Sequence, residues 1–362
     1  MGDDVRIAIA GLGNCASALI QGVHYYKDAK ADEEIPGLMH VDFGGYFPKD
    51  LKFVAAFEAN ERKIGKDISE AIWEEPNCCA KFAPDLPKTG VEVLPGPISD
   101  GVADHMMDSF FAYDDDVEPV DVAEELREAE ADMLINYLPV GSADGSRIYA
   151  KAALEAGVGF VNAIPEFIVS DPEDPITKKF RERDIPCAGD DIKSQLGATI
   201  LHRVLAQLFD KRGLIVNNTY QLNIGGNTDF ENMQVEERLS SKRVSKTEAV
   251  TSCVKYHLPT KIGPSDYVPF LDDNKVCYIS MRANSFGDLP VDVDLKLSVQ
   301  DSPNSAGVII DVARAIKIAL DRGIGGELSS ISSYSFKHPR YQIDDFEARK
   351  RVDEFIAGER ER

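Results

Sequence analysis

The sequence predicts an α/β protein, a doubly wound parallel sheet with an inserted α+β domain. Three observations predict it. An apolar strand, a glycine turn and a helix open the chain in "VRIAIAGLGNCASALIQGVHYY". Helix–strand units then repeat to about residue 210, as in sheets wound by βαβ connections. Beyond that point the apolar period drops to two, the mark of half-buried strands, until "GVIIDVARAIKIALDRG" restores a helical pattern. The organisation that follows is a Rossmann-type domain over residues 1–210 plus 303–362, interrupted by a second domain over 211–302.

The elements follow in order. Residues 5–10 are the first strand. Gly11, Gly13 and Ala16 then make a G-x-G-x-x-A turn. The glycines let backbone approach a pyrophosphate, Ala16 lets the helix lie on the strand, and the helix N-terminus faces the phosphates. The next strand, in "LKFVAAFEANERKIG", starts only at residue 51, delayed by the insertion "PGLMHVDFGGYFPKD". Glu58 closes that strand, where a carboxylate can take two ribose hydroxyls. A 2′-phosphate would meet the same charge, so the reading is NAD and not NADP. Taken alone, Glu58 is equally an ordinary strand-end carboxylate.

Residues 76–120, rich in Pro, Asp and Gly, read as irregular structure. A helix and a buried strand at 132–138 come next. The loop "LPVGS" follows at that strand's carboxyl end, where doubly wound sheets bind ligands. "SRIYAKAALEAGVGFVNAIP" repeats the unit, and "FRERDIPCAGDDIKSQLGATILHRVLAQLF" repeats it again, ending in a long helix. His202 inside that helix reads as a packed core residue. "LIVNNTYQLNIGG", "NKVCYISMRA" and "VDVDLKLSVQDSP" read as strands, and the tail "FEARKRVDEFIAGERER" as a charged helix with a structural role.

A chain of 362 residues with 43% hydrophobic content can bury a large core and suits two domains. Its net charge is −22, from 62 acidic and 40 basic side chains. Such a surface repels nucleic acids and anionic membranes, so any anion site is a local exception. No apolar run approaches the ~20 residues of a membrane helix. The N-terminus lacks the basic region of a signal peptide, and Arg6 stands where a myristoylation signal on Gly2 needs Ser or Thr. The six cysteines form no C-x-x-C and the six histidines no H-E-x-x-H. These features lead us to expect a soluble cytoplasmic protein with reduced thiols, without a sulfur or histidine metal cage.

The local exception is "RLSSKRVSKTEAV", residues 238–250, with two lysines and two arginines. On a helix Lys242 and Lys246 share one face and repel each other. A solvated helix is the plain explanation; an anion facing the lysines is the other. Asp190, Asp191, Asn223, Asp229 and Asp301 also fall at element ends, where a fold core has no use for them. Lys275 and Lys337 are further cations, each by itself an unremarked surface lysine.

Seven stretches occur in this order: "GLGNCASALIQG", "LPVGS", "GDDIKSQLGAT", "QLNIGGNTDF", "SKRVSK", "QDSPNSAGVIIDVARAIKIALDRG" and "SFKHP". Together they resemble the myo-inositol-1-phosphate synthase family, in the shorter form found in archaea and actinobacteria. The resemblance runs from about residue 5 to about residue 355. Glu58 departs from it, standing where Asp is expected at the ribose position. The family implies that glucose 6-phosphate is oxidised at C5 by NAD, enolised by loss of a C6 proton, closed by aldol attack on C1 and reduced again. It implies that Lys246 and Lys275 hold the phosphate, with Ser194 and the helix beginning there. Lys242 would stabilise an oxyanion, Lys337 would shuttle the C5 hydroxyl proton, and Asp191 and Asp229 would orient lysines and sugar hydroxyls. Asn223 and Lys296 complete the catalytic set. Gly11, Gly13, Asn14, Cys15, Ala16, Glu58, Leu138, Pro139, Ser142, Asp190 and Asp301 would contact NAD. The resemblance also implies a homotetramer formed through the second domain, and a divalent or monovalent cation with oxygen ligands. The competing readings are a dehydrogenase that releases NADH and a non-enzymatic NAD sensor.

Overall fold

The computed structural model describes residues 4–114, 116–235 and 240–362. Gly2 and Arg238 lie outside the described residues. The strands are β1 (Val5–Ala10), β2 (Leu51–Glu58), β3 (Val93–Pro95), β4 (Met133–Asn136), β5 (Gly159–Asn162), β6 (Pro186–Ala188), β7 (Ile215–Gly225), β8 (Thr260–Tyr267), β9 (Asn274–Asn284), β10 (Pro290–Gln300) and β11 (Gly326–Glu327). The helices are α1 (Asn14–Tyr25), α2 (Ile68–Ala71), α3 (Met107–Phe110), α4 (Val122–Glu128), α5 (Ala143–Ala156), α6 (Pro175–Glu182), α7 (Ala198–Lys211), α8 (Thr228–Asn232), α9 (Ser240–Thr251), α10 (Asp301–Asp321), α11 (Ser329–Ser335) and α12 (Asp345–Ala357).

The first sheet runs β11-β6-β5-β4-β1-β2-β3, every pair parallel. Alternation along β1 explains why both faces are covered. Val5, Ile7 and Ile9 join the core under α1 and α10. Ala8 and Ala10 join the core under α4, α5 and α6. The expected amphipathic helix after the second sheet is α10, but it is buried without interruption from Ser305 to Ala319. It lies against α1 and the sheet and also receives the insertion before β2. Arg314 holds that insertion by donating to the carbonyls of His40, Val41 and Tyr46 and to Asp311. Gly159 makes room for the helix on β5, since a Cβ there would stand 2.7 Å from Ile316 Cγ2.

The chain between α7 and α10 builds a second sheet, ordered β10-β9-β7-β8 and antiparallel except for β7–β8. Val216, Cys277, Ile279 and Met281 pack its inner face against Ala206 and Phe209 of α7. Tyr220, Leu222 and Tyr278 lie exposed on the outer face. Strand β8 does not stand out in the sequence because Gly263 and Pro264 interrupt its pattern. Only an edge position tolerates such a proline, and β8 is an edge. The basic stretch becomes α9, packed on α7 and β8.

Candidate active site

In the first sheet β1 lies between β2 and β4, so the order of connections reverses there. A crevice opens at the carboxyl ends of strands at such a point. Here the cleft is lined by the glycine turn, the loop after β4, and residues of β7, α9 and β9.

The glycine turn forms one wall. Gly11 has φ +88°, and a Cβ on it would stand 2.8 Å from the Tyr137 carbonyl oxygen. At Gly13 a Cβ would meet nothing within 4 Å, so backbone is open to the cleft there. Gly13 is also the N-cap of α1 and offers no side chain to the first-turn N–H groups. Tyr137 lines the same wall with its phenolic oxygen buried and without a protein partner. An open glycine cradle, an uncapped helix start and an orphaned hydroxyl fit a dinucleotide phosphate and its neighbouring groups.

Glu58 lines the cleft, but its carboxylate already accepts from the Leu12 and Ala59 N–H groups, both at 2.8 Å. Buried Lys63 stands 3.6 Å from it and donates to the Leu12 carbonyl. Glu58 therefore braces the glycine turn from within the cleft. Asn14 turns its side-chain oxygen to the N–H groups of Cys78 and Cys79. Burial pushes the Cys15 thiol up to about 11, so this cleft residue is uncharged.

The opposite wall carries the cations. Lys242, Lys246, Lys275 and Lys337 all line the cleft. Lys242 pairs with Asp229 at 2.5 Å, Lys275 with Asp301 at 3.1 Å and Lys337 with Asp191 at 2.7 Å. Lys246 has no carboxylate within ion-pair distance among the described residues. Burial, then Lys242, Lys275 and Lys337, push its ammonium well below the ordinary lysine value, against the pull of Asp191. For Lys275, Asp301 and Asp229 outweigh burial and raise it. Three lysines thus have their anions in place and the fourth does not.

Asp191 has φ +63°, a backbone region costly for non-glycine residues and common at functional sites. Backbone bonds to Ile164 and Lys337 hold it, and Ser245 of α9 donates to its second oxygen at 2.6 Å. Ser194 lines the cleft, yet α7 begins four residues later, at Ala198. Its N-cap, Gly197, provides no side-chain cap, and residues 197–200 line the cleft.

Asn223, Asp301, Leu138 and Pro139 also line it. Three expected contacts lie elsewhere. Lys296 sits exposed on β10, its ammonium 5.8 Å from the Tyr278 ring on the outer face, because alternation turns it away from the core. Asp190 is fully buried behind the cleft floor and accepts from Asn162, Val169 and Ser170, while burial pushes it up to about 7. Ser142 folds the loop by donating to the Pro139 carbonyl.

A family model described as myo-inositol-1-phosphate synthase matches residues 197–302, the stretch from α7 to the start of α10. An inositol-3-phosphate synthase of Corynebacterium glutamicum is 52% identical over 360 residues, 97% of this chain and 98% of its own. One from Mycobacterium tuberculosis is 52% identical over 358 residues, 98% and 96% of the two chains. The chain belongs to the myo-inositol-1-phosphate synthase family. A crystal structure of Ari2 superposes with a TM-score of 0.79 at 34% identity, covering 98% of this chain and 99% of that one. A synthase-related protein from Thermotoga maritima shares the fold, with a TM-score of 0.82 at 22% identity, covering 98% of each chain.

Several cleft residues carried no motif. Pro97, Ile98, Val102, Met106 and Phe110 come from the stretch expected to be irregular, where the short β3 and α3 in fact form, and give the dinucleotide side an apolar wall. Asp273 lies beside the cleft, bonded to Asn227 and Ser302, and burial pushes it up to about 6. Its neighbour Lys275 is the residue of this stretch that the sequence singles out. Ser245, one residue before Lys246, was hidden among the serines of the basic stretch.

Proposed function

We propose that the protein is an inositol-3-phosphate synthase, an isomerase that converts glucose 6-phosphate to inositol 3-phosphate with NAD regenerated in each cycle. The observation that carries this reading is one cleft with a glycine cradle on one side and four lysines on the other. A plain dehydrogenase has no use for the second wall. NAD, when bound, supplies a hydride acceptor at C5 and gives the hydride back.

Every other task falls to the chain. Lys246 and Lys275, with Ser194 and the uncapped start of α7, bind the phosphate dianion. Its arrival gives Lys246 the anion it lacks. Lys337 shuttles the C5 hydroxyl proton, passing one of its own to Asp191 as it takes that one. Lys242, held by Asp229, stabilises oxygen charge that exists only during reaction, where a fixed cation lowers the barrier most. Crowding lowers the cost of moving protons through amines near neutral pH. Asn223 meets a sugar hydroxyl. Gly11, Gly13, Ala16, Leu138, Pro139 and Asp301 border the cofactor.

Residues 211–302 would serve as the catalytic and tetramerisation unit on a nucleotide domain of residues 1–210 plus 303–362. The exposed Tyr220, Leu222 and Tyr278 support subunit contact through the outer face. Among the described residues no helix is long and apolar enough to cross a membrane, and we take the enzyme as cytoplasmic. A hard cation would be held with the help of the substrate phosphate. Incubation with glucose 6-phosphate and NAD, followed by phosphorus NMR, should show an inositol monophosphate without accumulation of NADH. Stoichiometric NADH would favour the dehydrogenase, and no turnover of any sugar phosphate would favour the sensor.

A further inference from the structure

The wall of the cleft formed by β7 contains a chain of hydrogen bonds that the scheme above does not use. Thr219, Gln221 and Asn223 alternate along β7 toward its buried face, and His202 of α7 lies against the first two. All four are buried. Thr219 Oγ1 donates to the Ser280 carbonyl at 2.7 Å. A hydroxyl has one hydrogen, so toward His202 Nε2, also 2.7 Å away, Thr219 can only accept. Nε2 therefore carries the ring proton. Burial pushes His202 down to about 4, so the ring is neutral at ordinary pH and Nδ1 is a bare lone pair.

That lone pair faces the Gln221 amide at 3.2 Å. It needs a donor, whereas the structure sets Gln221 Oε1 toward Nδ1 and has the Gln221 NH2 donate to Asn223 Oδ1 across 3.0 Å; turning both amides over gives Nδ1 its donor and keeps the Gln221–Asn223 bond. Asn223 must answer with its own NH2. The unturned arrangement sets oxygen against lone pair and leaves the Asn223 NH2 buried without a partner. Orphaned buried N–H groups are rarer and costlier than under-satisfied carbonyls. Gln221 and Asn223 both line the cleft.

We propose that His202 and Gln221 are positioning residues that hold Asn223 with its carbonyl oxygen free for the cleft, so that this wall accepts a hydrogen bond from a substrate hydroxyl. The assignment rests on the sugar-phosphate reading of the cleft. It makes Asn223 a specificity-determining residue of fixed polarity, which selects a donor and rejects a group that only accepts.

The test has two parts, both on the full-length enzyme. In protein labelled with nitrogen-15 histidine, the His202 ring should appear at pH 7 as the neutral Nε2–H tautomer. The signal is assigned by its loss in His202→Leu or, should that variant not fold, by its shift in Gln221→Met. An Nδ1–H tautomer or an imidazolium at that pH overturns the proposal. The second part measures binding of glucose 6-phosphate and its 2-, 3- and 4-deoxyfluoro analogues, since fluorine cannot donate. The native enzyme should reject one analogue by about tenfold to a hundredfold, the usual cost of leaving a buried acceptor unpaired. Gln221→Met frees the Asn223 amide, and the same ratio should fall to within about threefold. Ratios that stay unchanged in Gln221→Met overturn the positioning role, which a merely structural residue would also leave unmoved. A native enzyme that forms no inositol phosphate would instead refute the synthase reading, and the tautomer result would still stand.

Discussion

The four lysines differ in what surrounds each nitrogen, and that difference decides what each substitution should do. Among the described residues Lys246 is the one of the four without a carboxylate at ion-pair distance, and burial and its neighbours hold it well below the usual value. A bound dianion raises it again, so binding should take up a proton and affinity should fall as pH rises. Titration calorimetry in buffers of different ionisation enthalpy reads this directly; a buffer-independent enthalpy would count against the phosphate role. Lys246→Ala should raise the Michaelis constant at least as much as it lowers turnover, because its contact exists in ground and transition states alike. Lys242→Ala should lower turnover by roughly a hundredfold or more with substrate affinity nearly kept, as for loss of an oxyanion donor. Full activity in both variants would mean that the lysines only face solvent, where such changes cost less than about 0.5 kcal/mol. Glu58 has two tasks that substitutions can separate. Glu58→Gln keeps an acceptor for the Leu12 N–H but loses the charge, and should relax discrimination against NADP with NAD binding largely kept. Glu58→Ala should weaken NAD binding as well. Unchanged affinities in both variants would leave Glu58 as a strand-end residue.

At the scale of elements, the sequence is legible wherever a pattern has only one structural use. The glycine turn at Gly11 and Gly13 needs open backbone, so it marks the crevice at once. Lys242 and Lys246 lie four residues apart, and α9 does place both in the cleft. Lys296 shows the limit, because a strand of alternating exposed and half-buried residues does not state which face carries the site. Strand β8 was hidden by Gly263 and Pro264, and the apolar wall at 97–110 by the absence of any period. The late start of α7 reflects Gly197, where a Cβ would stand 2.9 Å from Ser194 Cβ, so the turn must finish before the helix begins. Helix α10 reads as amphipathic because Asp311, Arg314 and Lys317 break its apolar run. The bonds of Arg314 to the insertion and of Lys317 to Asp132 are tertiary matters that no local window contains. Its seat on β5 gives a stability prediction. Gly159→Ala drives a methyl against Ile316 and should destabilise the fold by about 1–3 kcal/mol, as overpacked cores do. Urea denaturation measures it, and an unchanged midpoint would show that α10 can shift without cost.

At the scale of the whole molecule, a net charge of −22 repels the very dianion that the enzyme binds. The two sheets resolve this by enclosing a cleft that gathers four lysines on one wall, three of them paired with Asp191, Asp229 and Asp301. The proposed nucleotide half comes from the parallel sheet, and the cationic half from α9, β9 and the segment after α11. In the proposed reaction a hydride removed by the first half would be held beside the carbon chain that the second half would fold into a ring. The central claim is that this hydride returns to the carbon it left. Glucose 6-phosphate deuterated at C5 tests it most directly, by mass spectrometry and NMR of the product. The account predicts inositol monophosphate with the deuterium retained on the carbon derived from C5. Deuterium found in released NADH, or lost from the product to solvent, would contradict it.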